Sequence, residues 1–310
     1  MRETTRRLLN TAHIFYRCML AYWFIRKSLY WFSSEVYYHM LAPLYRQARS
    51  SRERMDVLVF VGKWLLLAHR AVPRRLLRSL SPDAPLHLHG ATFYLGVESG
   101  EAQILREIFD FKLYEHASGF IPGPGWVVFD VGANAGIFTI QQALRGARVF
   151  AFEPNPECVR RLTKSIEVNG LKDSVRLLDV AVGAKPSMGS LKATSNATPT
   201  GFVSVVESLG EGDVAVKIVS IDEVALEFGV DHIDLLKIDA EGAEYDVLRG
   251  AEHTLALVQR VVLEYHSDDL LARVTALLSD HHFTPTLRIA NVLGGNAGML
   301  YAERSVKSPA

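Results

Sequence analysis

Short apolar runs alternate with helical stripes along the chain from Gly125 onward. Residues 126–129, Trp-Val-Val-Phe, are rich in β-formers and read as a buried strand. Ile137, Ile140 and Leu144 recur at helical spacing over 137–145, and Gly146 stands where a C-terminal cap belongs. Residues 148–152 form a second strand. Asn155 caps the next helix, with Pro156 in its first position and Val159, Leu162 and Ile166 as its buried stripe. Asn169-Gly170 ends that helix, and 175–182 is a third strand. Residues 183–219 are rich in Gly, Ser and Thr; 202–206 and 214–219 look like strands within an inserted loop or hairpin. Ser220 and Glu223 have capping-box spacing before a helix over 221–228. A strand over 233–238, a helix over 243–257 and a strand over 260–264 follow. Ser267 caps a helix through 278, and 283–289 and 299–303 supply two final strands.

Strands alternating with helices predict an α/β fold with a doubly wound, mostly parallel, seven-stranded sheet. Ligands of such sheets bind beyond the carboxyl ends of the strands, at the point where strand order reverses. The loops after Phe129, Phe152, Val182, Ile238 and Glu264 are therefore expected around one site.

Composition is that of a globular chain, with 49% hydrophobic and 22% charged residues over 310 positions. Two cysteines, Cys18 and Cys158, rule out a disulfide framework and a Cys-rich zinc site. The zero net charge hides an asymmetry. Residues 1–80 carry fifteen Lys/Arg against four Asp/Glu, a balance of +11, and three of the four tryptophans: Trp23, Trp31 and Trp64. The shift predicts a boundary near Ser81-Pro82, with a helical, basic, aromatic extension over 1–80, a catalytic-type domain over 81–305 and a tail over 306–310.

That extension has no signal-peptide pattern. Its apolar run over 19–25 is cut by Arg26-Lys27, and the run over 57–67 contains Lys63, so neither reaches the roughly 20 apolar residues of a spanning helix. It reads either as a helical cap on the domain or on a second copy, or as a surface that lies on an anionic membrane and meets a lipid-linked substrate. A nucleic-acid partner is disfavoured, because the basic residues are interleaved with aliphatics. The expected location is the cytoplasm, with peripheral membrane contact through 1–80; oligomeric state is not legible.

The densest chemical signal is Val-Phe-Asp-Val-Gly-Ala-Asn-Ala-Gly over 128–136. Gly132 lets backbone come close to a ligand, and Gly136 lets the helix start tightly. Glu153 ends the next strand, 21 residues after Gly132, where a carboxylate can accept both ribose hydroxyls of a nucleoside. NAD would need a glycine at position 134 and no carboxylate at the strand end, but Asn134 and Asp130 are there. Asp130 suits a cationic sulfonium, so the residues favour S-adenosylmethionine. A second cluster, Lys237-Ile-Asp239-Ala-Glu241-Gly-Ala-Glu244, places Lys237 and Asp239 on one side of the strand end.

These two segments, with Ala151-Phe-Glu153-Pro-Asn155-Pro and Leu263-Glu264-Tyr265-His266, resemble the FkbM-type methyltransferase family over about 91–303. The resemblance implies a Rossmann-like class I fold, S-adenosylmethionine as cofactor, and transfer to hydroxyl oxygens of sugars or natural products. It implies cofactor contacts from Asp130, Gly132, Asn134, Gly136 and Glu153, with the 237–244 turn near the transfer centre. Asp179 and Ala181 are further cofactor candidates at the end of the third strand. Asp239, Glu241, Lys237 and His266 are the catalytic candidates, and Glu244, Glu264, Ser204 and Asn196 are candidates for the acceptor. His281-His282 has no ligand partners nearby in sequence, so no metal is expected. The function expected is O-methylation of a sugar, glycolipid or natural-product hydroxyl. The alternatives are N-methylation and a non-catalytic nucleoside-binding scaffold tethered by 1–80, with an NAD oxidoreductase last.

Overall fold

A computed structural model describes residues 42–68, 83–96, 101–193, 203–206, 214–290 and 297–305. Trp23, Trp31, Cys18, Asn196, the apolar run over 19–25 and the tail lie outside the described residues.

Ahead of the α/β repeat come helices α1 (Ala42–Gln47) and α2 (Ser51–Ala68), strands β1 (Asp83–Leu88) and β2 (Ala91–Gly96), and helix α3 (Glu101–Phe109). The sequence reading contains neither the hairpin β1–β2 nor α3. The hairpin turns through His89 and Gly90, both at positive φ (54° and 80°), which matches the right-handed twist of the two strands. Leu44, Val57, Phe60 and Val61 from the helices join Leu86, Leu88 and Phe93 of the hairpin in one buried core.

The repeat then runs β3 (Val127–Val131), α4 (Ile137–Leu144), β4 (Arg148–Phe152), α5 (Pro156–Val168) and β5 (Val175–Leu178). It continues through β6 (Ala181–Val182), β7 (Ser187–Ala193), β8 (Val203–Val206), β9 (Val214–Val219) and α6 (Ile221–Glu227). It ends with β10 (Leu235–Ile238), α7 (Glu244–Arg249), β11 (Arg260–Tyr265), α8 (Asp268–Asp280), β12 (Phe283–Ala290) and β13 (Gly298–Arg304). The main sheet has seven strands in the order β12-β13-β11-β10-β3-β4-β5, parallel from β11 to β5, with β13 antiparallel to both its neighbours. This is the mostly parallel, Rossmann-like architecture expected.

All five residues of β3 are buried, as a central parallel strand covered on both faces requires. Val128 faces a core with Val149, Ala151, Ile140 and Leu162; Phe129 and Val131 face another with Phe152, Val224, Val247 and Val274. Each such side chain contributes about 1.5–3 kcal/mol of transfer free energy, so the sheet's position is set by both layers. The hairpin is tied to α5 by ion pairs: Arg161, almost fully buried, meets Asp83 at 2.8 Å and Glu101 at 2.6 Å. Asn169 and Ser165 complete the edge of β2 by accepting from Thr92 and Tyr94 backbone N–H groups.

Three readings need correction. The third strand does not run to Val182. It stops at Leu178, and Ala181–Val182 pairs instead with β9 in a second sheet, β6-β9-β7-β8. The insertion is therefore part of a four-stranded sheet rather than a loop or hairpin. The helix over 243–257 stops at Arg249, because Gly250 lies against Gly183: an added Cβ would fall 2.1 Å from the Gly183 carbonyl oxygen. A turn and a short 3₁₀ segment (Thr254–Leu257) replace the remainder, capped by the Asp222 carboxylate on the N–H groups of His253 and Thr254. Among the described residues no helix is long and apolar enough to cross a membrane.

Candidate active site

After β3 the chain leaves towards β4 and β5, then returns to β10 on the other side of β3. The carboxyl ends of β3 and β10 flank this reversal of strand order, where doubly wound sheets bind ligands. Gly132 follows β3 at φ +75°, and an added Cβ would sit 1.8 Å from the Asp239 carbonyl oxygen. The close approach that demands glycine is thus that of the neighbouring strand end, not of a ligand. Gly136, at φ +83°, caps α4, and its missing Cβ makes room for Leu162 of α5.

Every N–H of the loop between them has a protein acceptor. Gly132 and Ala133 donate to the Phe152 carbonyl at 3.0 Å, Asn134 to Glu153 Oε2 at 2.7 Å, Ala135 to Asn134 Oδ1 at 2.7 Å, and Gly136 to the Ala133 carbonyl at 2.9 Å. A dinucleotide pyrophosphate needs spare N–H donors at this place, and the loop keeps none. Glu153 also accepts from Asn155 N–H on its other oxygen, at 2.8 Å. Each carboxylate oxygen retains a lone pair, so the residue fits a pair of nucleoside hydroxyls. Burial pushes its carboxyl up to about 7, against the opposing pull of the Asn155 and Asn134 amides and Lys237.

Asp130 has no exposed surface and lies between Lys237 Nζ, 3.0 Å away, and the donating Thr139 hydroxyl. Lys237 also donates to the carbonyls of Val131 (3.2 Å) and Gly132 (2.8 Å) and lies 5.3 Å from the Tyr114 ring centroid. Burial alone would lower its pKa, but Asp130 and Asp239 hold it above the ordinary value. Lys237 therefore fastens the glycine loop to β10.

Beyond β10 the charge is strongly negative. Asp239, a quarter exposed, accepts from the Tyr114 hydroxyl at 3.0 Å. Glu241 is held at φ +52°, a left-handed conformation that costs a non-glycine residue about 1–2 kcal/mol. Glu244, fully buried, folds the turn back on itself by accepting from Ala240 and Gly242 N–H groups. His266, after β11, completes the group: its Nδ1 is 3.2 Å from Glu244, and its Nε2 is 3.6 Å from Glu241 and 3.5 Å from Glu264. Burial, then Asp239, pushes Glu241 up to about 7 and raises Glu264 well above the carboxylate range. Burial opposes the His266 imidazolium, but Glu244, Glu264 and Glu241 raise it to about 9.

The tertiary structure therefore joins Asp239, Glu241, Glu244, Glu264 and His266 in one cluster. Asp130, Lys237, Gly132, Asn134, Gly136 and Glu153 lie on its inner side. Asp179 lies in the break after β5, and Ala181 begins β6 in the second sheet, where Ser204 also lies, in β8. His281 and His282 stand between α8 and β12, at the opposite end of the sheet from the cluster. Tyr114 and Thr139 escaped sequence reasoning. Tyr114 comes from an irregular segment 125 residues before its partner, and no motif surrounds it. A cavity of about 350 Å³ between the hairpin, α3 and the C-terminal end of α4 is lined by Arg49, His89, Lys112 and Arg145. It lies at the far end of α4 from Gly136 and shares no residue with the cluster.

The model of the methyltransferase FkbM domain matches residues 130–285. Methyltransferase sdnD of Sordaria araneosa is 29% identical over 246 residues, spanning 68% of this chain and 93% of that protein. The 31-O-demethyl-FK506 methyltransferase FkbM of Streptomyces tacrolimicus is 33% identical over 220 residues, spanning 61% and 84%. The hexuronic acid methyltransferase AglP of Haloferax volcanii is 31% identical over 154 residues, spanning 50% and 62%.

Proposed function

Because the chain belongs to the methyltransferase FkbM family, and so uses S-adenosylmethionine, we propose that it methylates a hydroxyl oxygen of a sugar, glycolipid or natural-product acceptor. The observation that carries this reading is the carboxylate cluster after β10 and β11, directly beside the glycine loop. A hydroxyl must lose its proton as it attacks carbon, and Asp239 and Glu241 supply acceptors for it. Two relatives support the oxygen: one is named for a 31-O-demethyl compound, and another for a hexuronic acid.

S-adenosylmethionine supplies a methyl carbon on a sulfonium, already a good leaving group. The protein's task is then alignment, worth up to about 7–11 kcal/mol of barrier when reacting atoms are held in line. Glu153 holds the ribose hydroxyls, and the Asn134 and Asn155 amides hold Glu153. Lys237 and Gly132 fix the distance between the cofactor loop and the β10 end. Tyr114 orients Asp239 from outside the sheet. Asp130, Gly136, Asp179 and Ala181 act on the cofactor through the loop and strand ends that they build.

An amine acceptor is the second reading, favoured by the same excess of negative charge. Carbon NMR of the product made with ¹³C-methyl cofactor decides between them. An O-methyl resonance is the expected outcome; an N-methyl resonance replaces this reading with the second.

A further inference from the structure

Asp239, Glu241 and His266 come from three separate places: the β10 end, a left-handed turn and the β11 end. Yet one ligand atom from each lies within 4.8 Å of the others. Their side chains are 26–28% exposed, so the group opens outward. Two carboxylate oxygens and an imidazole nitrogen form the mixed donor set that suits Mn²⁺, Fe²⁺ or Zn²⁺.

Two independent features point to a ligand there. The first is Glu244. It is fully buried, and among the described residues its Oε2 has no hydrogen-bond partner. A buried carboxylate oxygen without a donor is costly, and a dication beside the group offsets that cost. The second is Glu264. Its side chain is nine-tenths buried, and its ion-pair partner among the described residues is His266, whose Nε2 lies 3.5 Å away. Around the group, five carboxylates (Asp130, Asp239, Glu241, Glu244 and Glu264) face two cationic side chains, Lys237 and His266.

We propose that Asp239, Glu241 and His266 bind one divalent cation, and that this cation holds the acceptor hydroxyl together with a neighbouring oxygen of the same acceptor. The proposal rests on the hydroxyl-methylation reading above. Three protein ligands leave open positions on the ion, enough for a vicinal diol or a hydroxy acid to chelate. The cation makes the bound hydroxyl more acidic. Its proton leaves to solvent water at the open face of the group, where the three side chains are partly exposed. The oxygen forms the bond to the methyl carbon, and the carbon–sulfur electron pair stays with sulfur as a neutral thioether. The cation keeps its charge throughout.

The test uses the full chain, stripped with a chelator and titrated with MnCl₂ alone, with free Mn²⁺ read by electron paramagnetic resonance. One Mn²⁺ per chain is expected. His266→Gln and Glu241→Gln, both at partly exposed positions that tolerate an amide, should each weaken Mn²⁺ binding by about 10- to 100-fold. Calorimetry with S-adenosylmethionine should find cofactor affinity unchanged in the same preparations, showing that they are folded. Absent Mn²⁺ binding, or binding that both substitutions leave intact, overturns the cation site. Neither result touches the hydroxyl-methylation reading, which stands or falls on the carbon NMR of the product.

Discussion

Lys237 and Asp130 are directly paired across the parallel strands β10 and β3, with Nζ 3.0 Å from the carboxylate and both side chains closed to solvent. Removing one partner of such a buried pair leaves an uncompensated charge, at a cost of about 3–5 kcal/mol. Lys237→Met should therefore lower the urea unfolding free energy by that amount. Lys237→Met combined with Asp130→Asn should recover part of the loss. A single variant as stable as the parent protein would mean that the pair does not hold the two strand ends together.

Gly132→Ala tests the other junction between the same strands. An alanine Cβ would collide with the Asp239 carbonyl and would adopt an unfavourable φ of +75°. The strain alone is worth about 1–3 kcal/mol, and the collision adds to it. The expected result is a fall of several degrees in melting temperature, with loss of S-adenosylmethionine binding in calorimetry. Retained binding would remove the junction from the cofactor site.

The Glu153 carboxyl, raised to about 7 by burial, sets a pH dependence. The proposed contact with the ribose hydroxyls needs its ionised form, which accepts from both. Affinity for S-adenosylmethionine should then fall towards about tenfold per pH unit below 7, by proton linkage. Glu153→Gln should weaken binding by about 1.5–3 kcal/mol and flatten the profile. The sign for folding is opposite. The folded chain holds this proton more tightly than the unfolded one, so the residue's unfavourable contribution is absent below about 4.5 and grows as pH rises towards 7. A pH-independent affinity in the parent protein would rule out Glu153 as the titrating contact.

Asp239→Asn and Glu241→Gln bear on the transfer step. Each should lower turnover by roughly 10²-fold or more, the low end for loss of proton transfer. Cofactor affinity should change much less, because neither side chain touches the 132–136 loop or Glu153. Tritium transfer from labelled cofactor, compared with calorimetry on the same preparations, separates the two. Full turnover in both variants would return the cluster to a structural role.

Peripheral membrane contact through residues 1–80 remains a proposal carried by their charge of +11 and their tryptophans. Each basic residue near an anionic surface contributes about 1 kcal/mol. The full chain should sediment with phosphatidylserine vesicles at low salt and be released at high salt. No sedimentation at low salt overturns the idea. The whole chain is the right material, because a cut near residue 82 would strip Leu44, Val57 and Phe60 from the hairpin core.

The sequence by itself determined the repeat from Val127 to Arg304 and the identity of its loops. Apolar runs of strand length, a capping Asn155 and a capping Ser267 are local signals, and local signals survive without a tertiary context. The positions of Gly132, Glu153, Asp239 and His266 at strand ends followed from the same periodicity. The breaks at Asp179 and Gly250 were not legible, because each reflects contact with a distant element, β9 for the strand and Gly183 for the helix. The hairpin β1–β2 was hidden for a similar reason: its burial depends on α2 and α5. Only the tertiary structure decided what the charged residues do. It turned Asp130 inward to Lys237, brought Tyr114 across 125 residues to Asp239, and gathered Asp239, Glu241 and His266 around one point. Charge partners are fixed by distances of a few ångströms between elements far apart in the chain, and no local pattern encodes those distances.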